Sequence, residues 1–129
     1  MFTHLHVHTQ YSLLEGAIKI PNLIKALKVK NFRSCAITDH GNMFGVMEFY
    51  HAMKSNKLKP IVGMGAFISN KEIINTSYRR FAQTQLICKN RIGYKNLTYI
   101  AAESFNKGKQ FGVPTVSHSS LEKLSLIHI

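Results

Sequence analysis

Two short apolar runs with one helical stripe between them constrain this chain more than any other feature. Ser34-Cys35-Ala36-Ile37-Thr38 is too short for a helix and too apolar for a surface loop, which predicts a buried strand. It stops abruptly at Asp39-His40-Gly41-Asn42, and from Met43 to about Lys54 the residues Val46, Phe49, Tyr50 and Met53 recur as one helical stripe. Pro60 then opens a second apolar run that ends at Ile68. Strand, helix and strand at this spacing predict parallel βα units and an α/β fold. The flanks extend the pattern. Phe2 to His8 alternates with period two, so Leu5 and Val7 share one face of a strand and His4, His6 and His8 the other. A loop is expected from Ser12 to Gly16. A helix entered at Pro21 carries Leu23, Ile24 and Leu27 and runs to about Lys30. Asn70 to Tyr78 reads as a polar loop, Gln83 to Cys88 as a strand and Tyr94 to Phe105 as a helix.

Composition narrows the class. With 129 residues, 45% of them apolar, and only 8 Gly and 3 Pro, the chain suits one compact domain or a piece of a larger one. The longest apolar run, Ile61 to Ile68, is too short to span a bilayer. The first eight residues carry three histidines and no basic leader, which with two cysteines in strand-like runs predicts a cytoplasmic protein without disulfides. Met43, Met47 and Met53 are expected in the core. A formal net charge of +11 makes nucleic acid a plausible neighbour. Lysines such as Lys25, Lys28 and Lys30 are nevertheless scattered, and a solvated helix face accounts for them equally.

The residues that carry chemistry lie at strand ends. His6 and His8 point the same way from one strand, close enough for two imidazoles to chelate one metal ion, or else they are exposed positions of a half-buried strand. Asp39-His40 closes the second strand at the same mouth, and Gly41 permits the sharp exit turn. Asp39 as a helix cap beside a solvated His40 is the plainer alternative. Imidazole and carboxylate together suit zinc, manganese or iron, and they rarely cluster for packing. His4 lies at the wrong end of its strand to join them.

Several ordered motifs carry a resemblance. Thr3-His4-Leu5-His6-Val7-His8-Thr9, Tyr11-Ser12-Leu13-Leu14-Glu15-Gly16 and Ala36 through Gly45 resemble the PHP (polymerase and histidinol phosphatase) domain. Glu48-Phe49-Tyr50, Lys59-Pro60-Ile61-Val62-Gly63 and Gly93-Tyr94-Lys95-Asn96-Leu97 look like the form carried by bacterial replicative C-family polymerases, the DNA polymerase III alpha subunits. The resemblance implies the N-terminal part of a distorted, TIM-barrel-like β/α barrel, incomplete here, whose strand ends bind up to three metal ions. By motif position, His6 and His8 match the first ligand pair, Glu15 an acidic ligand and His40 the next imidazole. Asp39 belongs to the motif without a fixed ligand role. The implied chemistry is phosphoester hydrolysis, with proofreading of a 3′ end as its replicative form.

Two departures predict a reduced centre. Gly65 stands where the family places a bridging carboxylate, and Gln83 where it places a histidine. His118 is a poor substitute, because its serine-rich setting reads as a loop. The expectation is therefore a partial PHP domain over residues 1–123, inactive alone, with weak zinc, manganese or iron binding. Leu124 to Ile129 read like one frame of a sequencing-library adapter, a non-native tail. The full-length polymerase implied would synthesise DNA with magnesium in a region absent here, alongside DNA, a sliding clamp and a proofreading exonuclease subunit. Lys89, Arg91 and Lys95 would face its duplex or simply a solvated loop. Two other classes stay open: a stand-alone phosphoesterase of the histidinol-phosphatase type, and a basic DNA-binding module.

Overall fold

The computed structural model describes residues 2–69, 81–110, 112–124 and 127–128. Helix α1 (Ile20–Val29) starts with Pro21 in its first turn and buries Ile20, Ile24 and Leu27. Asn31, in the left-handed region at φ 56°, turns the chain into β1 (Ser34–Ile37), every residue of which is buried. Helix α2 (Val46–Ser55) follows and buries Val46, Phe49 and Met53. It begins three residues later than expected because Asn42 Oδ1 accepts from Phe44 N and holds residues 42–45 as a turn. Its apolar stripe is also narrower than expected: Tyr50 is 40% exposed and Met47 55% exposed, so neither belongs to the core.

Strand β2 (Lys59–Ile68) is the axis of the fold. β1 pairs with its first half in parallel, Ser34 opposite Lys59 through Ile37 opposite Val62. β3 (Ala82–Cys88) pairs with its second half antiparallel, Gly63 opposite Ile87 through Ile68 opposite Ala82. This corrects the expectation of uniformly parallel units. A parallel return needs a crossover of a dozen or more residues, usually helical, and the polar stretch after Ile68 has no helical stripe to pack as one. The loop expected at Asn70 to Tyr78 lies outside the described residues. Helix α3 (Arg91–Asn106) starts three residues before the expected Tyr94, because Asn90 Oδ1 caps it by accepting from Gly93 N at 3.0 Å. β4 (Lys109–Gln110) and β5 (Val113–Val116) form a short hairpin, β5 adding in parallel to β2. Helix α4 (His118–Lys123) is capped by Ser117, so the serines around His118 cap a helix rather than form a loop. β6 (Ile127–His128) pairs with β3. The result is a mixed α/β fold around a six-stranded sheet.

The expected first strand is only partly built. Residues 2–8 run extended beside β1, tied by Ala36 N to His4 O and Thr38 N to Val7 O, both 2.8 Å. Only the bridge from His4 to Cys35 registers as pairing, and Leu5 remains 49% exposed.

The core has two lobes. Ile20, Ile24, Leu27, Cys35, Ile37, Val46, Phe49 and Met53 fill one between α1, α2 and β1. Met64, Ala66, Ile68, Leu86, Leu97, Ile100 and Val116 fill the other beneath α3, and Met43 touches both. Alternation along β2 therefore turns Met64, Ala66 and Ile68 to the helices and Gly63, Gly65 and Phe67 to the opposite face. A Cβ at Gly63 would come within 2.6 Å of Leu86 O, so glycine is needed there for β3 to approach. Among the described residues no helix is long and apolar enough to cross a membrane.

Burial sets the thiol chemistry. It pushes Cys35 and Cys88 up to about 11 from 9.0. Each thiolate is therefore about 100-fold scarcer at pH 8 than in the unfolded chain. Labelling by an aromatic disulfide should be slower by about that factor in the native protein, rising tenfold per pH unit. Labelling of the folded chain at the unfolded rate would show the burial to be wrong. Because the protonated thiols are favoured, their contribution to stability is complete below pH 9 and is lost as pH rises through about 11.

Candidate metal centre

The site is assembled by a tight turn and one buried carboxylate. After His8 the chain turns at Thr9–Ser12, where Ser12 N donates to Thr9 O at 3.0 Å, and again at Ser12–Gly16, where Gly16 N donates to Ser12 O at 2.8 Å. Leu14 takes φ 67° to close it, and a side chain at Gly16 would collide with Thr9 O. This fold-back returns Glu15 to the mouth of the sheet. Asp39, 1% exposed at the end of β1, receives Thr9 N and Ser12 Oγ on one oxygen and Thr9 Oγ1 on the other. Ser12 Oγ in turn accepts from His40 N at 3.1 Å, which anchors His40 relative to the turn. Gly41, at φ 64°, then lets the chain leave the strand, its N–H donating to Gly65 O at 2.7 Å. Asn42 Nδ2 clamps Tyr11 O and His40 O, and Tyr11 OH donates to Glu48 at 2.7 Å, a bond that raises the phenol's pKa.

Four of the expected residues meet. His6 and His8 bring their Nε2 atoms to 2.8 Å. Two ligands of one tetrahedral ion with bonds of about 2.05 Å would sit roughly 3.4 Å apart, so a small rotation suits the pair to chelation. His8 stacks on His40 with ring centres 3.9 Å apart, and His40 Nε2 contacts Glu15 Oε2 at 2.8 Å. Phe67 covers the far side of His40 at 5.8 Å. Burial first, then the neighbouring His40 and His6, lowers the pKa of His8 and keeps it neutral, the form that binds metals. Among the described residues, His8 Nδ1 and His40 Nδ1 are buried without hydrogen-bond partners. A neutral His8 beside two further imidazoles and one carboxylate fits a divalent cation. No three His, Cys, Asp or Glu side chains among the described residues already converge as a finished centre; they pair with one another instead.

Other expected residues stand apart. The Asp39 carboxylate is consumed by three hydrogen bonds and builds the site instead of facing it. His4 packs on Phe32, ring centres 5.2 Å apart, although it lines the same pocket as His6, His8 and Glu15. Gly65 is registered directly opposite His40, and Gln83, exposed, sits opposite Phe67 on β3. His118 starts α4 and is exposed. The hydroxyls of Thr9 and Ser12 were not singled out from the sequence. Their signal is two hydroxyl residues in the turn after a histidine strand, beside an aspartate with no other partner.

The family model of the PHP domain matches residues 4–128. The chain belongs to the PHP domain family. This PHP domain is 46% identical over 125 residues to the DNA polymerase III subunit alpha of Campylobacter jejuni, covering 96% of the chain and 10% of that protein. Identity to the same subunit of Helicobacter pylori J99 is 46% over 110 residues, 83% of the chain and 9% of the relative. For Aquifex aeolicus it is 36% over 133 residues, 95% and 11%. The chain thus spans about a tenth of the length of the curated relatives it matches. Among solved structures, a Bifidobacterium adolescentis protein assigned as a metal-dependent phosphoesterase superposes with a TM-score of 0.54 at 16% identity, over 95% of this chain and 38% of that one. An amidohydrolase of Chromobacterium violaceum gives 0.53 at 17% identity, over 78% and 34%. At such identities the likeness shows a shared fold.

Proposed function

We propose that this chain is the PHP segment of a replicative DNA polymerase, the DNA polymerase III alpha subunit. It serves there as a structural, proofreading-associated domain with a reduced metal centre, and it does not polymerise DNA by itself. The observation that carries the reading is 46% identity along 96% of the chain to a protein of which it spans only 10%. The full-length protein is then a cytoplasmic enzyme of DNA-directed DNA synthesis, using magnesium in its polymerase region. It would work with DNA, a sliding clamp and a proofreading exonuclease subunit. On this reading residues 1–123 are the partial PHP domain and 124–129 a non-native tail, against which stand the family match to residue 128 and the pairing of β6 with β3.

At the centre, His6, His8 and His40 would hold zinc, manganese or iron. Such a cation supplies a Lewis acid to a phosphoester oxygen. Glu15 orients His40 through Nε2, while Asp39 fixes the turn that carries Glu15. With Asp39 engaged and Gly65 bare, Glu15 is, among the described residues, the carboxylate left in the cluster to neutralise added charge, which supports a single cation rather than a multinuclear cluster. Without a second cation to clamp both the attacking and leaving oxygens, the purified chain with manganese, zinc or iron should not cleave bis(p-nitrophenyl) phosphate above the metal-only rate. Turnover that disappears in His8→Ala would overturn the reduced centre and favour a stand-alone phosphoesterase. For the assignment to the polymerase, residues 4–123 grafted in place of the matching segment of the Campylobacter subunit should preserve primer extension. A folded chimera without primer extension would count against it.

A further inference from the structure

Among the described residues, three buried side-chain nitrogen or oxygen atoms lack a hydrogen-bond partner: His8 Nδ1, His40 Nδ1 and Gln85 Oε1. Two belong to the imidazole cluster. The third lies on another strand, and nothing in the site as described so far employs it.

Sheet register places it. Gly65 pairs with His40 along one edge of β2 and with Gln85 along the other. The row is held by Gly65 N donating to Asp39 O at 2.9 Å and Gly41 N donating to Gly65 O at 2.7 Å. Residues aligned across a sheet face the same way, so His40 and Gln85 project on the face opposite the helices, about 10 Å apart between Cα atoms at two strand spacings. Gly65, the residue between them in this row, contributes no side chain. A Cβ built on Gly65 would lie 3.4 Å from Gln85 Oε1 and 3.3 Å from Thr38 O, the carbonyl one residue before Asp39. The carboxamide therefore lies over the bare glycine, in the space a β2 side chain would enter, on the face to which His40 is registered. A buried amide carbonyl left unpaired is unfavourable, and a cation held by the imidazole cluster is a partner that would satisfy it.

We infer that Gln85 is the oxygen donor of the metal centre, its carboxamide standing in for the side chain that Gly65 lacks. The inference rests on reading the imidazole cluster as a divalent-cation site. Because the donor is neutral, it adds coordination without adding charge, and the centre takes one cation.

The test is calorimetric titration of the 129-residue chain with Mn²⁺ alone, with the electron paramagnetic resonance of bound Mn²⁺ as a second readout. The wild type should bind one ion, and His8→Ala should abolish binding. Gln85→Met, which keeps the length and removes the oxygen, should weaken it about tenfold or more, while Gln85→Glu should tighten it by a similar factor. If Gln85→Met binds as the wild type does while His8→Ala does not bind, the role of Gln85 fails and the imidazole site stands. If the wild type takes up no Mn²⁺, or His8→Ala binds unchanged, the reading of the site fails and the inference with it. A melt followed by circular dichroism checks each variant. Should Gln85→Met not fold, Gln85→Glu decides, and no gain in affinity there overturns the proposal.

Discussion

Phe49→Ala should remove about 4 kcal/mol of unfolding free energy, enough to leave much of the chain unfolded at 37 °C. Phe49 is fully buried at the centre of the first core lobe, where α2 meets α1 and β1. Truncation forfeits its transfer free energy and leaves a void that Ile24, Leu27 and Met53, themselves almost wholly buried, cannot collapse into. Tyr50, its neighbour on the same helix, is 40% exposed, and Tyr50→Ala should cost roughly 0.5 kcal/mol. Urea denaturation of the two variants measures the contrast. A Phe49→Ala loss below about 1 kcal/mol would mean that the first lobe is not packed as described.

Asp39→Ala should cost about 3 kcal/mol and also loosen the metal centre. The substitution strips the acceptor from Thr9 N, Thr9 Oγ1 and Ser12 Oγ at once, in a place closed to water. Each orphaned buried donor carries a desolvation penalty of about 1–3 kcal/mol, partly relieved where a hydroxyl can rotate to another acceptor. Asp39→Asn keeps one oxygen, able to serve Thr9 N and Ser12 Oγ together, and should lose about half as much. Ser12 Oγ also accepts from His40 N, so the alanine variant frees His40 as well and should weaken Mn²⁺ binding, although the Asp39 carboxylate faces the turn. Thermal melts, with Mn²⁺ titrations on whichever variants fold, separate the two effects. An alanine variant as stable as wild type would show that Asp39 does not organise the turn. Equal losses for alanine and asparagine would show that its charge, rather than its acceptor count, holds Thr9 and Ser12.

What could be read locally was read where one interaction decides an element. Pro21 and the spacing of Ile24 and Leu27 place α1, and the four buried residues of β1 follow from an apolar run too short for a helix. Element ends differ from the sequence pattern where side-chain capping decides them: Asn42 delays α2, and Asn90 starts α3 early. The exposure of Tyr50 is not legible in the sequence, because an amphipathic stripe shows which face is apolar but not how wide a strip the neighbouring elements cover. The antiparallel pairing of β3 is not legible from the alternation of strand and helix, which carries no direction; the sign is that the polar stretch between β2 and β3 has no helical stripe.

The sequence by itself determined the α/β class, the PHP motifs and the imidazoles at the strand ends, because these depend on residue type and short spacing. Only the tertiary structure decided how the polar residues divide their work. Asp39 and His40 are adjacent in sequence, yet strand alternation sends one into a web of hydroxyls and the other into the cluster. Glu15 reaches His40 only because Gly16 lets its turn close against Thr9. Gln85 lies 45 positions from His40 and joins its row only through the register of β2 with both its neighbours. Such pairings are set by long-range register and by the exclusion of water, neither of which a local window of residues contains.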